Sequence, residues 1–397
     1  MTSLEAVLSK DETVFVRIET PRWTAFRTFV FVFAVIFKFI DPFLGFLPGR
    51  FVLYLGVLMV LSLFSLYASR PSRKASLTFV FLYVLSVLLL VLGESGIPYS
   101  VFVSASIYKL GYRKCMRRAF WIGYFSLILT MVLSFVLGIN SQYNNIAGSF
   151  LENRYTLGFS SPNTPGTLIM LLFALFLCGK GKLDWKSLLL FAVTIFAVYL
   201  FTKSRTMIFT MALFLIFYLP ACFLLKWKKS WVLFAMIPIL FTLGSYLLGI
   251  FFMDGPINHL LSGRPNLFHY YIYNRSPVLV SVEDDPSLAG YYLDNLFLAD
   301  IYRLTIVSLL VLFVLSFVAF SLMRKCCLKK TYQGIALAFF MLMIGSMSES
   351  FLATNFNAAY VGFFYFIALA QEKGGILSLV RKADETLGEI PALENWQ

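Results

Sequence analysis

The sequence predicts an all-α polytopic membrane protein that crosses the bilayer about twelve times. Three observations predict it. The 397-residue chain is 59% hydrophobic and only 13% charged, about half the charge fraction of a soluble globule. Apolar runs approaching or reaching bilayer length recur from one end to the other, and Phe alone occurs 44 times. Lys and Arg gather in short segments between those runs, as they do in cytoplasmic loops.

The expected spans are 26–41, 51–69, 76–93, 97–110, 119–138, 165–179, 187–202, 206–225, 231–252, 296–323, 333–348 and 357–371. The first begins after about 25 residues and lacks a small-residue cleavage site, which predicts a retained span rather than a signal peptide. The second, Phe51 to Ser69, carries no charge. The fourth, Ile97 to Leu110, is short and contains Lys109, so a re-entrant or interfacial segment is the alternative there.

Orientation follows from the short loops. Arg70, Arg73 and Lys74 lie in one; Arg113, Lys114, Arg117 and Arg118 in the next of the same side. Lys180, Lys182 and Lys186 follow, then Lys226, Lys228 and Lys229, then Arg324, Lys325, Lys329 and Lys330, and finally Lys373, Arg381 and Lys382. All fall on one face if every span crosses, which predicts that both termini are cytoplasmic. The net charge of +13 is therefore topological, and nucleic acid is not an expected partner. Cys115, Cys178, Cys222, Cys326 and Cys327 lie in apolar runs or on the basic face, which argues against disulfides. No Cys/His spacing suggests zinc, and no metal site is expected.

The other face has two long connections, 139–164 and 253–295, the second being the largest loop. Loops longer than about 15 residues are functional or disordered. This face also holds bases that oppose the positive-inside bias: Arg50, Arg154, Lys203, Arg205, Arg264 and Arg275, with Arg303 about two turns into span ten. Arg205 sits in a turn so short that it is held at the membrane surface. Arg264 precedes the aromatic run Phe268, His269, Tyr270 and Tyr271. A guanidinium binds two phosphate oxygens at once, so converging arginines suit a lipid phosphate or pyrophosphate. Solvated loop arginines are the plainer explanation of each one alone. Asp294 and Glu349 stand where loop meets helix. Each is a candidate general base toward a sugar hydroxyl, with an N-cap of span ten and an ion-pair partner as their structural alternatives. His269 and its aromatic neighbours suit sugar stacking or an interface belt. Arg27, Lys38 and Arg303, charges within spans, keep a transporter reading open unless they snorkel.

These pieces resemble a known family, the Wzy-type polymerases of bacterial O-antigen, capsule and exopolysaccharide, within the O-antigen ligase/polymerase superfamily. The matching segments are Arg154–Asn163 (RYTLGFSSPN), Lys203-Ser204-Arg205, Ser262-Gly263-Arg264, Asp294–Leu298 (DNLFL) and Glu349. The resemblance covers roughly 150–350 and rests on the order of the motifs rather than on any single one. It implies a GT-C-like, metal-independent glycosyltransferase without cofactor, working on undecaprenyl-pyrophosphate-linked oligosaccharide at the outer leaflet of the bacterial cytoplasmic membrane. It implies binding of pyrophosphate or sugar by Arg154, Arg205 and Arg264; Asn163, His269, Asn295 and Arg303 are further candidate substrate-binding residues, and Asp294 or Glu349 remains the candidate catalytic base. A chain-length regulator is a further candidate partner. The ligases carry a His-Asn pair where this chain has Asp294-Asn295, which favours polymerase over ligase. An O-antigen-ligase-like transferase and a lipid-linked oligosaccharide transporter or flippase are the alternatives. The sequence carries no G-x-x-x-x-G-K-[ST] phosphate loop.

Overall fold

Long apolar runs free of Gly-Pro punctuation form helices, because a backbone in hydrocarbon must satisfy its own polar groups. In the computed structural model, residues 21–40, 50–138, 142–147, 150–159, 163–227, 229–261, 263–280, 295–303, 305–326, 329–347 and 357–372 are described. The N-terminal part comprises α1 (Pro21–Ile40), α2 (Arg50–Ala68), α3 (Arg73–Val91), α4 (Gly96–Ile107) and α5 (Tyr112–Val136). Strands β1 (Gln142–Ala147) and β2 (Phe150–Tyr155) follow. Then come α6 (Thr164–Lys180), α7 (Trp185–Thr202), α8 (Arg205–Leu224) and α9 (Ser230–Phe251). The short α10 (Pro256–Leu260) and α11 (Arg264–Asn274) precede α12 (Leu296–Tyr302), α13 (Ile306–Cys326), α14 (Lys329–Ser346) and α15 (Ala358–Leu369).

Every expected span overlaps a helix. Among the described residues, 7 helices are long and apolar enough to cross a membrane, and Leu53–Ala68, Gly96–Ile107, Thr164–Lys180 and Ala358–Leu369 are shorter apolar helices. The polarity is that of a protein dissolved in lipid. Outward side chains such as Phe81, Phe125, Ile216 and Leu219 are as apolar as the interior and are 63–73% exposed. Helix α4 explains why its stretch read weakly as a span. Its twelve residues make a rod of about 18 Å, shorter than the hydrocarbon core, yet all of them are buried. It packs against α1, α2, α3 and α15 and has no lipid face of its own. The Tyr99 hydroxyl on it donates to the Ala34 carbonyl at 2.7 Å, and Tyr54 donates to Tyr99 at 3.0 Å.

Among the described residues the fold is all-helical as expected, apart from one short antiparallel pairing of β1 and β2 from Gln142↔Tyr155 to Ala147↔Phe150. It lies in the 139–164 connection, where the strands satisfy each other's backbone groups. Span ten, expected as one helix over 296–323, is broken between Tyr302 and Ile306. The break is stabilised by a loop segment docked into it. Val278 N donates to Ile301 O at 2.8 Å, Ile306 N donates to Val278 O at 3.0 Å, and the Thr305 hydroxyl donates to Leu279 O at 2.8 Å. Interrupted helices are tolerated at membrane depth where such partners replace the lost bonds.

The Lys/Arg-rich segments share one end of the bundle. Lys109 Nζ pairs with Glu372 at 3.2 Å and donates to the Arg70 carbonyl at 3.1 Å. Arg113 donates to the carbonyls of Gly179 and Lys180, and Arg117 to that of Gly179. Here α6 and α14 approach closely: a Cβ on Gly334 would lie 2.4 Å from the Leu177 carbonyl oxygen. Gly181, at φ +89, caps α6 in the left-handed region beside the Lys330 carbonyl. Arg27 is fully buried and donates to the Tyr108 carbonyl, and Lys38 is buried too, so neither lies along a lipid face.

Candidate functional site

The opposite end of the bundle carries the residues singled out in the sequence, in two corners. At the first, α7 ends on Lys203, which adopts the left-handed conformation at φ 50 and lets Ser204 and Arg205 start α8 after a single tight turn. The N-terminus of α6 sits against this turn: a Cβ on Gly166 would lie 3.1 Å from Met207 and 3.3 Å from the Ser204 hydroxyl. Asn163 stands at the N-cap position of α6. Strand β2, with Arg154 opposite Tyr143, packs on α7. The backbone therefore brings Arg154, Asn163 and Arg205 to neighbouring elements. The side chains of Arg154 and Arg205 lie outside the described residues.

The second corner is built on α11. Gly263, at φ +80, turns the chain so that Arg264 and Pro265 open this helix, and Arg264 is partly buried. The helix lies on α9 and touches α12. Contact with α9 requires Gly249, where a Cβ would come within 2.9 Å of Phe268 and 2.8 Å of Ile272. His269 Nδ1 is 3.1 Å from the Gly249 carbonyl oxygen, and its ring packs 4.4 Å from that of Tyr273. With Nδ1 as donor, Nε2 is the acceptor nitrogen. Arg303 caps the end of α12 in the helix break and is half-buried.

Asn295 is fully buried and its polar atoms are engaged by the fold. Its Oδ1 accepts from Leu298 N at 3.1 Å, and Nδ2 donates to the Ser245 hydroxyl at 2.8 Å and the Met347 carbonyl at 2.9 Å. This geometry is that of an N-cap and a strut. Arg264, His269, Asn295 and Arg303 thus share a second corner formed by α11, α12 and α9. Helix α14 packs on helices that contribute to both corners, α6 and α8 on one side and α9 on the other. Asp294 and Glu349 lie outside the described residues.

The structure also assembles a group that the sequence reading did not. Glu94, Asp300, Ser308 and Tyr360 line one small cavity with Ile97, Leu296 and Leu312. The cavity offers about 10 Å³ to the centre of a water-sized sphere, room for about one water. Glu94 and Asp300 are each 2% exposed. Glu94 Oε1 accepts from Ile97 N at 2.9 Å and caps α4, while Ser308 lines the cavity beside Asp300. The other oxygens, Glu94 Oε2 and Asp300 Oδ1, are buried with no hydrogen-bond partner among the described residues. One signal was available: Glu94 is the only acidic residue between Arg73 and Tyr112, and an ionisable group amid apolar spans is functional by default.

Electrostatics differ at the basic end. Hydrogen bonds from Lys180 and Ser187 hold the Asp184 carboxyl well below the ordinary carboxylate range. Burial works to raise Glu372, but Tyr108, the Ser72 amide and Lys109 outweigh it and hold its carboxyl below the usual value. Among the described residues, no three His, Cys, Asp or Glu side chains gather as a metal site. The chain matches no protein-family model, no curated protein and no solved structure.

Proposed function

We propose that this chain is a metal-independent glycosyltransferase of the polysaccharide-polymerase type. It uses an oligosaccharide donor carried on a polyprenyl pyrophosphate. In this reading the bundle crosses the bacterial cytoplasmic membrane about twelve times, with the Lys/Arg-rich end and both termini in the cytoplasm. One observation carries it: the ordered motifs around Arg154, Lys203–Arg205, Arg264 and Asn295 fall on packed elements at the end opposite the lysine-rich one. Arg154, Lys203 and Arg205 thereby fall on the elements of one corner and Arg264 and Arg303 on those of the other, and α14 packs on helices of both.

The chemistry follows from the groups present. The donor's anomeric carbon loses its bond to the pyrophosphate oxygen, and that electron pair leaves with the lipid pyrophosphate. Guanidinium groups of Arg154, Arg205 and Arg264 would stabilise the charge as it develops. The acceptor hydroxyl attacks the same carbon, and Asp294 or Glu349 would take its proton. The aromatic face of α11 offers rings for sugar stacking. Arg205→Ala and Arg264→Ala should each abolish long polymer in a polymerase-null strain while the protein still inserts. Normal long chains in both variants would remove the proposed site.

A transporter of the same lipid-linked oligosaccharide is the second reading, favoured by the break between α12 and α13 with acidic Asp300 beside it. A transport-defective variant accumulates its substrate on the cytoplasmic side. A polymerase-defective one leaves single repeat units outside.

A further inference from the structure

Helix α13 carries a stripe that faces lipid. Leu310, Val314 and Val318 are exposed and recur at the four-residue spacing that keeps side chains on one helix face. One turn before Leu310 the stripe reaches Ile306, whose amide donates to the Val278 carbonyl at 3.0 Å. From there the apolar surface passes to a different part of the chain. Leu279 is 67% exposed and Val280 55%, although both belong to the largest connection and not to a span. The run Pro277-Val278-Leu279-Val280 stands in the sequence between Arg275-Ser276 and Ser281, with Glu283-Asp284-Asp285 shortly after. It is an apolar tip between polar flanks.

We propose that Pro277–Val280 inserts into the acyl-chain boundary of the leaflet opposite the lysine-rich end, so that bilayer lipid anchors the loop that follows α11. Depth follows from helix length. The 21 residues of α13 make a rod of about 31 Å, and the hydrocarbon core is about 30 Å thick. With Arg324 and Lys325 at one boundary, Ile306 and the segment docked on it stand at the other. The backbone of the segment is fitted to that medium. Pro277 has no N–H to satisfy. Val278 N donates to Ile301 O, Val278 O accepts from Ile306 N, and Leu279 O accepts from the Thr305 hydroxyl. Water would satisfy these groups unaided; hydrocarbon would not. Continuity with the lipid stripe of α13 selects acyl chains, rather than a partner protein, as what covers Leu279 and Val280. Tyr273, exposed in the last turn of α11, suits the adjoining headgroup level. The anchor ties α11, which Arg264 opens, and the helix break, where Arg303 stands, to the membrane surface. It stands apart from the polymerase reading and would serve a transporter equally.

The test is collisional accessibility of a nitroxide label at Leu279→Cys, in the full chain with its native cysteines replaced by alanine. The protein is reconstituted in vesicles of phosphatidylethanolamine and phosphatidylglycerol. Molecular oxygen, which concentrates in hydrocarbon, is compared with a neutral nickel chelate, which stays in water. Val314→Cys, on the lipid stripe of α13, and Asn266→Cys, exposed on α11, calibrate the two extremes. The label at Leu279→Cys is expected to show an oxygen-to-chelate ratio several-fold above that of Asn266→Cys and toward that of Val314→Cys. A ratio equal to that of Asn266→Cys would place the segment in water and overturn the proposal. Low accessibility to both reagents would show that protein covers it, and would overturn the proposal as well. If Leu279→Cys fails to fold, Val280→Cys decides, with the same expectation and the same two overturning results.

Discussion

The side-chain amide of Asn295 donates to the main-chain carbonyl of Met347 at 2.9 Å. The same nitrogen reaches the Ser245 hydroxyl at 2.8 Å, so one buried side chain ties the start of α12 to the end of α14 and the middle of α9. These anchors are next to Asp294 and two residues before Glu349 in the sequence. Asn295→Ala removes an N-cap and orphans a buried carbonyl, and should lower stability by about 2–3 kcal/mol. Asn295→Asp keeps the cap but sets a carboxylate against the Met347 carbonyl, and should be the more damaging of the two. Thermal melts in detergent give the order; equal melts would show that the two donated bonds contribute nothing.

Arg264 offers a sharper probe of phosphate binding than its removal does. Arg264→Lys keeps the charge at the start of α11 and loses the planar fork. If the side chain grips two phosphate oxygens, losing one charge-assisted hydrogen bond of about 1.5–3 kcal/mol should slow polymer formation by about 10–100-fold at unchanged protein level. Activity in Arg264→Lys equal to that of the parent would leave only a general electrostatic role.

Gly334 supplies a packing test remote from both corners. A Cβ there would meet the Leu177 carbonyl oxygen at 2.4 Å and Gly181 Cα at 3.1 Å, both main-chain atoms. Small residues let membrane helices approach in this way. Gly334→Ala should therefore force α14 from α6 and cost about 1–3 kcal/mol, read as a lower melting midpoint. A melt unchanged from the parent would mean that the two helices part without penalty.

Much of this architecture was legible in the sequence, because a backbone in lipid demands long apolar helical runs. The overlap of each expected span with a helix, from 26–41 to 357–371, rests on that alone. What stayed hidden was long-range. Span ten read as unbroken because Val278 and Leu279, which dock into the break, belong to a different part of the chain. Glu94 went unremarked because Asp300 and Tyr360, which share its cavity, lie more than 200 residues away. The structural ties of Asn295 stayed hidden because no local pattern reveals that Ser245 and Met347 engage it.

Glu372 gives the basic end a pH dependence with a defined sign. Its carboxyl is held below its ordinary value of 4.5 by Tyr108, Ser72 and Lys109, against the opposing effect of burial. A carboxyl depressed in the folded state contributes stability that is complete above the unfolded value and declines as pH falls through the folded one. Glu372→Gln should thus lower the melting midpoint at pH 7 and have progressively less effect below pH 4.5. A difference between variant and parent that is constant from pH 7 to pH 3 would exclude this linkage.

Sidedness is open to a direct chemical test, because the two ends of the bundle expose different residues. Lys182, after α6, is exposed at the lysine-rich end, and Asn266, in the first turn of α11, is exposed at the other. Lys182→Cys and Asn266→Cys, each in a background with Cys115, Cys178, Cys222, Cys326 and Cys327 replaced by alanine, report opposite ends. The positive-inside rule assigns Lys182 to the cytoplasm. A thiol reagent that cannot cross the membrane should label Asn266→Cys in intact cells and leave Lys182→Cys unlabelled until the membrane is opened. The reverse pattern would turn Arg264 and His269 toward the cytosol. There a lipid pyrophosphate donor presented on the outer leaflet could not reach them, and the polymerase reading would fall with the orientation.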